Sequence, residues 1–362
     1  MSLLRRTPGR ALLGLAALVS AGLIVMFATG IGPDVRIRLA LGLSAPVEGC
    51  TPQSETVRNP PGLVGTWAAV RPVPEGADEI RAARVGSQIV LGTGIDMVRV
   101  GDGYRSRARM YLYDPAANRY TGIPDPPSRV DHPLLTGDEE NVYLVGGYVD
   151  GRATAEAWRY SLARRRWDAL PPMPTARGAL GGAVVDGRLY AVAGAPPTFQ
   201  HEAVPPYRTL EILDLQTGTW TSGPPLRYPR HHIGTTVVDG SLYVVGGRGR
   251  TDYSLPYNER FDLATQRWTT QAPLPQGSGG LSAVTVGGEL VAVGGGDDHA
   301  GWVTGATWAY DPGSDRWRRL PDLVHARHGH GAAAVGSRAF VFGGSPCPGI
   351  GRSDSAETLD LS

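Results

Sequence analysis

Arginine and histidine hold most of the chemistry this sequence can offer. Arg177, Arg230 and Arg327 each stand ten residues after a tryptophan, Trp167, Trp220 and Trp317, so one local geometry is expected around all three. A guanidinium presents its N–H donors as a planar fork that matches a carboxylate or sulfate. Imidazoles follow closely: His231 and His232 after Arg230, His328 and His330 after Arg327. These seven residues form the expected ligand-binding set, suited to a carboxylate, a sulfate or a polyhydroxylated ligand. The competing reading gives the same side chains to neighbouring backbone groups, and both stay open. A metal is the sharper chemical idea, because His231-His232 with His328-Gly329-His330, or Asp297-Asp298-His299, supply imidazole and carboxylate donors. No fixed chelating interval such as His-x-x-x-His is present, so neither a metal nor another cofactor is expected. No Ser-His-Asp arrangement can be assigned, and no catalytic residue is named.

What is missing narrows the field further. All 35 lysine-plus-arginine residues are arginine. Without an ε-amine the chain can form no Schiff base, attach no pyridoxal phosphate and build no P-loop. A formal net charge of +1 argues against a nucleic-acid partner, which a basic excess would serve.

Equivalent arginines require a chain that repeats. Six aromatic residues, Trp67, Tyr120, Trp167, Trp220, Trp268 and Trp317, recur at intervals of 53, 47, 53, 48 and 49 residues. A small-residue pair closes an apolar run 26 residues after each of them, starting at Thr93, Gly146, Ala193, Gly246, Gly294 and Gly343. Between aromatic and pair lie two short β-rich runs joined by a tight turn, as in Gly234 to Val238, Asp239-Gly240 and Ser241 to Val245. Asp-Gly between apolar runs is a strong hairpin signal. Beyond the pair, a gap of variable length leads to another strand, a turn and the next aromatic, as in Arg260 to Trp268. Each unit is thus four antiparallel strands, A to D. Units of about 50 residues with an apolar face they cannot bury alone stack radially into a β-propeller. After Gly343-Gly344 the chain supplies one more strand, Ala356 to Leu361, whereas Gly65 to Val70 reads like the strand around Trp220. The N-terminal strand is therefore expected as strand D of blade 6, leaving no open sheet edge. The variable B–C and D–A connections share one face of the ring, where binding usually resides, and all eight histidines fall there. The arginine-rich loop Asp96 to Arg109 reads as solvated.

The Gly-Gly after an apolar-Tyr strand, the downstream tryptophan and the stretch Pro172-Met173-Pro174-Thr175-Ala176-Arg177 together resemble the kelch-repeat family, over residues 64 to 362. The departures are Thr93-Gly94, Ala193-Gly194 and Tyr120. The resemblance implies an all-β, six-bladed kelch-type propeller that binds a glycan or protein partner on its B–C/D–A face. It also implies an alternative: a sugar or sugar-acid enzyme similar to the periplasmic kelch-like sialic-acid mutarotases, with Arg177, Arg230 and Arg327 holding a carboxylate. A deep pocket at the channel mouth lined by those arginines would favour the enzyme. A copper-radical site similar to that of galactose oxidase is disfavoured, because Cys347 is better explained by Cys50.

Ahead of the propeller, a basic segment over 1–10 precedes 21 uncharged residues, Ala11 to Ile31, long enough to cross a bilayer. Arg5, Arg6 and Arg10 favour a cytoplasmic N-terminus and an exported body. A single-pass membrane anchor with the propeller outside is expected, with a cleaved signal peptide and secretion as the alternative. Residues 32–63 read as a linker. In an exported chain two cysteines suggest a disulfide, here Cys50 to Cys347 at the blade that closes the ring, with two independent thiols as the other possibility.

Overall fold

The computed structural model describes residues 59, 61–100, 103–196 and 205–362. The anchor expected over 11–31, most of the linker, Cys50 and His201 lie outside the described residues. Among the described residues no helix is long and apolar enough to cross a membrane.

Six four-stranded antiparallel sheets form the six blades. Blade 1 runs Arg81–Val85, Gln88–Gly92, Met110–Asp114 and Arg119–Ile123, and the same A-B-C-D order recurs in blades 2 to 5. Blade 6 takes strands A to C from Gly331–Val335, Arg338–Phe342 and Ala356–Asp360 and strand D from Trp67–Ala69. Trp67 lies opposite Leu359 and Ala69 opposite Glu357, which is the expected closure.

The cores lie between blades. Strand B of blade 1 shows why: Ile89 and Leu91 pack with Phe340 and Phe342 of blade 6, whereas Val90 packs with Val142 and Leu144 of blade 2. Side chains alternate between the faces of a strand, so a strand buried on both faces reads as a continuous apolar run. Six such clusters fill the six interfaces.

The repeated aromatics lock these interfaces. Each tryptophan on strand D donates its indole N–H to a carbonyl just beyond strand D of the preceding blade: Trp67 to Pro321, Trp167 to Pro124, Trp220 to Pro171, Trp268 to Pro224 and Trp317 to Ala272. Tyr120 does the same with its hydroxyl, reaching the Arg71 carbonyl at 2.9 Å. The tyrosine is therefore a regular member of the series. The small-residue pairs are regular too. Their first position has a φ near +60° in all six blades, and Thr93 (61°) and Ala193 (58°) adopt it alongside four glycines. The second position is glycine throughout, because a Cβ there would strike backbone, as at Gly94, 2.4 Å from the Asp78 carbonyl.

The B–C connections of blades 1, 2 and 5 carry small hairpins, Ile95–Val100 with Gly103–Ser106, Tyr148–Val149 with Arg152–Ala153, and Gly296–Asp297 with Trp302–Val303. The arginine-rich loop expected to be solvated carries the first of these hairpins on the variable face, and its Arg109 is exposed.

Trp67 is 4% exposed and carries the closing strand. Trp67→Ala is expected to cost about 3–5 kcal/mol in urea unfolding; a cost under about 1 kcal/mol would mean the ring does not depend on this closure.

Candidate functional site

Arg177, Arg230 and Arg327 occupy equivalent positions, but they face into the protein. Their relative exposures are 0%, 0% and 1%. Arg230 donates to the carbonyls of Gly246, Tyr257 and Val244 and to Glu259 Oε2 at 2.9 Å. Arg177 holds Glu211 at 2.5 Å together with the carbonyls of Ala193 and Ala191, and Arg327 pairs Glu357 in the same manner. Each guanidinium clamps the end of strand B to strand C of its own blade. Burial, opposed by the glutamate, pulls Arg230 down to about 10. The ligand-binding reading of these three is therefore corrected: their donors are spent on carbonyls and a buried carboxylate, and they line neither the cleft nor the channel described below.

The partner glutamates were missed, although the sequence marks them. Glu211 and Glu259 stand nine residues before Trp220 and Trp268, and Glu357 holds the same place in blade 6. Blades 1, 2 and 5 have Tyr111, Trp158 and Trp308 there, and Ala77, Val130 and Ser278 in place of the arginine. Arginine and glutamate are present together or absent together.

The titratable residues that do converge lie at the axis. Twelve residues after each aromatic come Glu79, His132, Ala179, His232, Gly280 and Gly329, all in the left-handed region with φ between 51° and 67°. Their backbones link around the ring, with N–H of Ala179 to His132 O, His232 to Ala179 O, Gly280 to His232 O and Gly329 to Gly280 O, each 2.9 Å. This brings Glu79 of blade 1, His132 of blade 2 and His232 of blade 4 together, with their donor atoms within 4.8 Å of one another. Glu79 Oε1 is 3.5 Å from His132 Nε2 and 3.8 Å from His232 Nε2. His132 Nδ1 is 2.6 Å from Asp131, which also accepts from Ser106 Oγ at 2.6 Å, and His232 Nδ1 meets His231 Nδ1. Asp78, Glu79 and His328 form a second set that shares Glu79.

Electrostatics follow from this crowding. Burial disfavours charge on His132, but Glu79 and Asp131 outweigh it and raise His132 to about 9. Burial likewise opposes the charge of Glu79, and His132 and Arg81 overcome it, holding the carboxyl well below its ordinary range. Asp78, buried beside Glu79, is pushed well above its own. Of the expected histidines, His231, His232 and His328 reach this cluster, whereas His330 fills a core position held elsewhere by Ile80, Pro133, Leu180, Ile233 and Leu281. Burial, with Arg327 and His328 nearby, lowers His330 to about 3, and neither ring nitrogen has a hydrogen-bond partner among the described residues. His299 lies apart, against Tyr253.

A channel lined by the A strands runs along the axis beneath this cluster, with cavities of about 80 Å³ at His330 and Arg81 and about 390 Å³ farther along. On the variable face, Glu79, His132 and His232 plug the axial mouth. A larger cleft of about 590 Å³ opens off the axis between blades 6 and 1, lined by Glu75, Asp96, Arg107, Val324, His325 and Arg352.

A closed ring of six four-stranded blades stapled aromatic to carbonyl defines the chain as a β-propeller. Comparison with known proteins refines this. The KLHDC2/KLHL20/DRC7 Kelch-repeats domain matches residues 207–344, and the Kelch motif matches residues 136–174. Kelch-like protein terF of Aspergillus terreus is 28% identical over 178 residues, 47% of this chain and 39% of that protein. Kelch-like ECH-associated protein 1A of Danio rerio is 34% identical over 107 residues, 29% of this chain and 17% of the relative. Kelch-like protein 35 of Mus musculus is 25% identical over 233 residues, 64% of this chain and 38% of the relative. The chain is a kelch-repeat β-propeller, and its matches span well under two thirds of these relatives' own lengths.

Two outcomes follow from the buried charges. Glu259→Gln, which leaves Arg230 buried beside a neutral partner, is expected to cost about 3 kcal/mol in urea unfolding, and the double variant Arg230→Leu/Glu259→Leu to recover most of it. A single-variant cost below about 1 kcal/mol would remove the clamp. His330 stays neutral in the fold down to about pH 3, whereas an unfolded histidine takes its proton near pH 6.5. Between those values the unfolded chain binds more protons, so stability falls as pH drops through this window. His330→Leu is expected to flatten that acid limb in melts from pH 7 to 4 and to stabilise by about 1 kcal/mol at pH 7; an unchanged limb would refute it.

Proposed function

We propose that this propeller is the extracytoplasmic binding module of a membrane-anchored chain and takes a protein partner in the cleft between blades 6 and 1. The cleft is the observation that carries the reading. It is built entirely from D–A and B–C connections, the part of the scaffold free to vary. It presents both signs of charge: Glu75, Asp96 and Asp354 against Arg107 and Arg352, with Arg107 steadied by Glu75 at 2.6 Å and the Gly76 carbonyl at 2.7 Å. Val324, 45% exposed, adds an apolar contact at its edge. Mixed charge around an apolar point suits a polypeptide surface better than a sugar, which asks for stacked aromatics and neutral donors. A smaller recess of about 360 Å³ continues the cleft past Arg105, Arg109 and Arg129, lengthening the surface a partner can follow. One relative is named for its association with ECH, in keeping with a binding role.

The sugar-acid enzyme loses its physical basis, since its carboxylate-holding arginines are buried in clamps and the axial mouth is plugged. The membrane tether rests on the uncharged stretch from Ala11 to Ile31 behind Arg5, Arg6 and Arg10. The Cys50–Cys347 disulfide belongs to the same proposal; Cys347 is buried in the B–C loop of blade 6.

Crosslinking of the full chain in membranes of its source, followed by affinity measurement with the captured partner, tests the reading. Arg352→Glu and Val324→Asp are each expected to weaken the partner about tenfold or more, while Arg164→Glu on the opposite face leaves binding unchanged. A partner indifferent to both cleft variants would overturn the site, and selective binding to a glycan array with no protein partner would overturn the ligand class.

A further inference from the structure

We propose that the axis of the propeller binds a divalent transition-metal ion through Glu79 Oε1, His132 Nε2 and His232 Nε2. The distances carry this first. The two imidazole nitrogens stand 3.5 and 3.8 Å from the same carboxylate oxygen, at or beyond the limit of a hydrogen bond. Donors about 2.1 Å from one tetrahedral ion are separated by roughly 3.4 Å, close to what is observed.

The surroundings are those of ligands held in place. His132 turns its Nδ1 to Asp131 at 2.6 Å, and Asp131 is in turn held by Ser106. A carboxylate behind an imidazole fixes the tautomer that leaves Nε2 facing inward, the usual arrangement behind a metal-bound histidine. Room for the carboxylates depends on Gly329: a Cβ there would stand 2.5 Å from Asp78 Oδ1 and 2.9 Å from Glu79 Oε1. On the far side of Glu79, His328 is 2% exposed, its Nδ1 has no hydrogen-bond partner among the described residues, and it lies within ligand reach of Asp78 and Glu79.

Backbone strain points the same way. The axial position requires φ near +50° to +67°, where glycine is easiest and other residues pay about 1–2 kcal/mol. Two blades use glycine and one uses alanine, while the other three place there Glu79, His132 and His232. Two imidazoles with one carboxylate select a borderline ion such as Zn²⁺ over Mg²⁺ or Ca²⁺, which prefer all-oxygen sets. Because its ligands come from blades 1, 2 and 4, the ion would tie opposite sides of the ring together. No chelating interval marks these donors in the sequence, because they lie 53 and 100 residues apart.

The test uses the full chain, purified, stripped with a chelator and titrated with Zn²⁺ alone by calorimetry. A single equivalent and a rise in Tm of at least about 3 °C are expected, because an ion that binds only the folded state stabilises it by mass action. Gly329→Ala, which fills the cradle, and His232→Gln are each expected to weaken uptake about tenfold or more, while His299→Gln leaves it unchanged. Co²⁺ loaded into the unaltered protein is expected to show visible d–d bands, which keeps the test decisive if either variant fails to fold. Less than about 0.1 equivalent of Zn²⁺ on the folded protein, absent Co²⁺ bands, or affinity unchanged in both variants would each overturn the site.

Discussion

Each apolar core of this protein lies between two blades, so none of them exists until both neighbours are in place. Strand B of every blade divides its side chains between two interfaces, as Ile89 and Leu91 do on one side and Val90 on the other. A blade alone would expose both faces, and a row of five or fewer would leave two faces bare. Closure through Trp67–Ala69 is therefore the condition for the other interfaces as well as the last one. The indole and phenol donors that reach the preceding blade add one directed hydrogen bond to each apolar interface, tying strand D of one blade to the chain just beyond strand D of the blade before it.

Closure also creates the axis. Six equivalent turns are forced against one another at the centre, and four backbone hydrogen bonds join five of them, from His132 through Ala179, His232 and Gly280 to Gly329. Whatever side chains those turns carry must then share a space only a few ångströms across. Here the ring carries Glu79, His132 and His232, and the unusual charge behaviour of the cluster follows from placing them in a poorly solvated space. The same convergence closes the axial mouth to large ligands and shifts the accessible cleft outward, to the junction of blades 6 and 1.

The arginine ring shows how far repetition can be read and where it stops. That Arg177, Arg230 and Arg327 are equivalent was legible from a spacing of ten residues, and it is correct. Whether they point to solvent or inward was not, because a guanidinium can serve either purpose. The co-occurrence of Glu211, Glu259 and Glu357 at the matching place on strand C was the available signal, and it indicates an internal pair. Tyr120, Thr93 and Ala193 carry the opposite lesson. They break the residue pattern while keeping the geometry, since a phenol donates as an indole does and Thr93 and Ala193 adopt the same left-handed backbone as the glycines they replace.

The amino-acid sequence by itself determined the number of blades, the strand order within each, the closing strand and the face that carries the variable loops. All of these follow from local periodicity and from spacing along the chain, which survive without knowledge of contacts. Only the tertiary structure decided which polar residues meet. Glu79, His132 and His232 come from separate repeats, and the off-axis cleft from four connections contributed by blades 6 and 1 and the turns before them. Such proximity depends on the radius and tilt at which the blades pack, quantities set by side-chain volume at six interfaces together rather than by any one stretch of sequence.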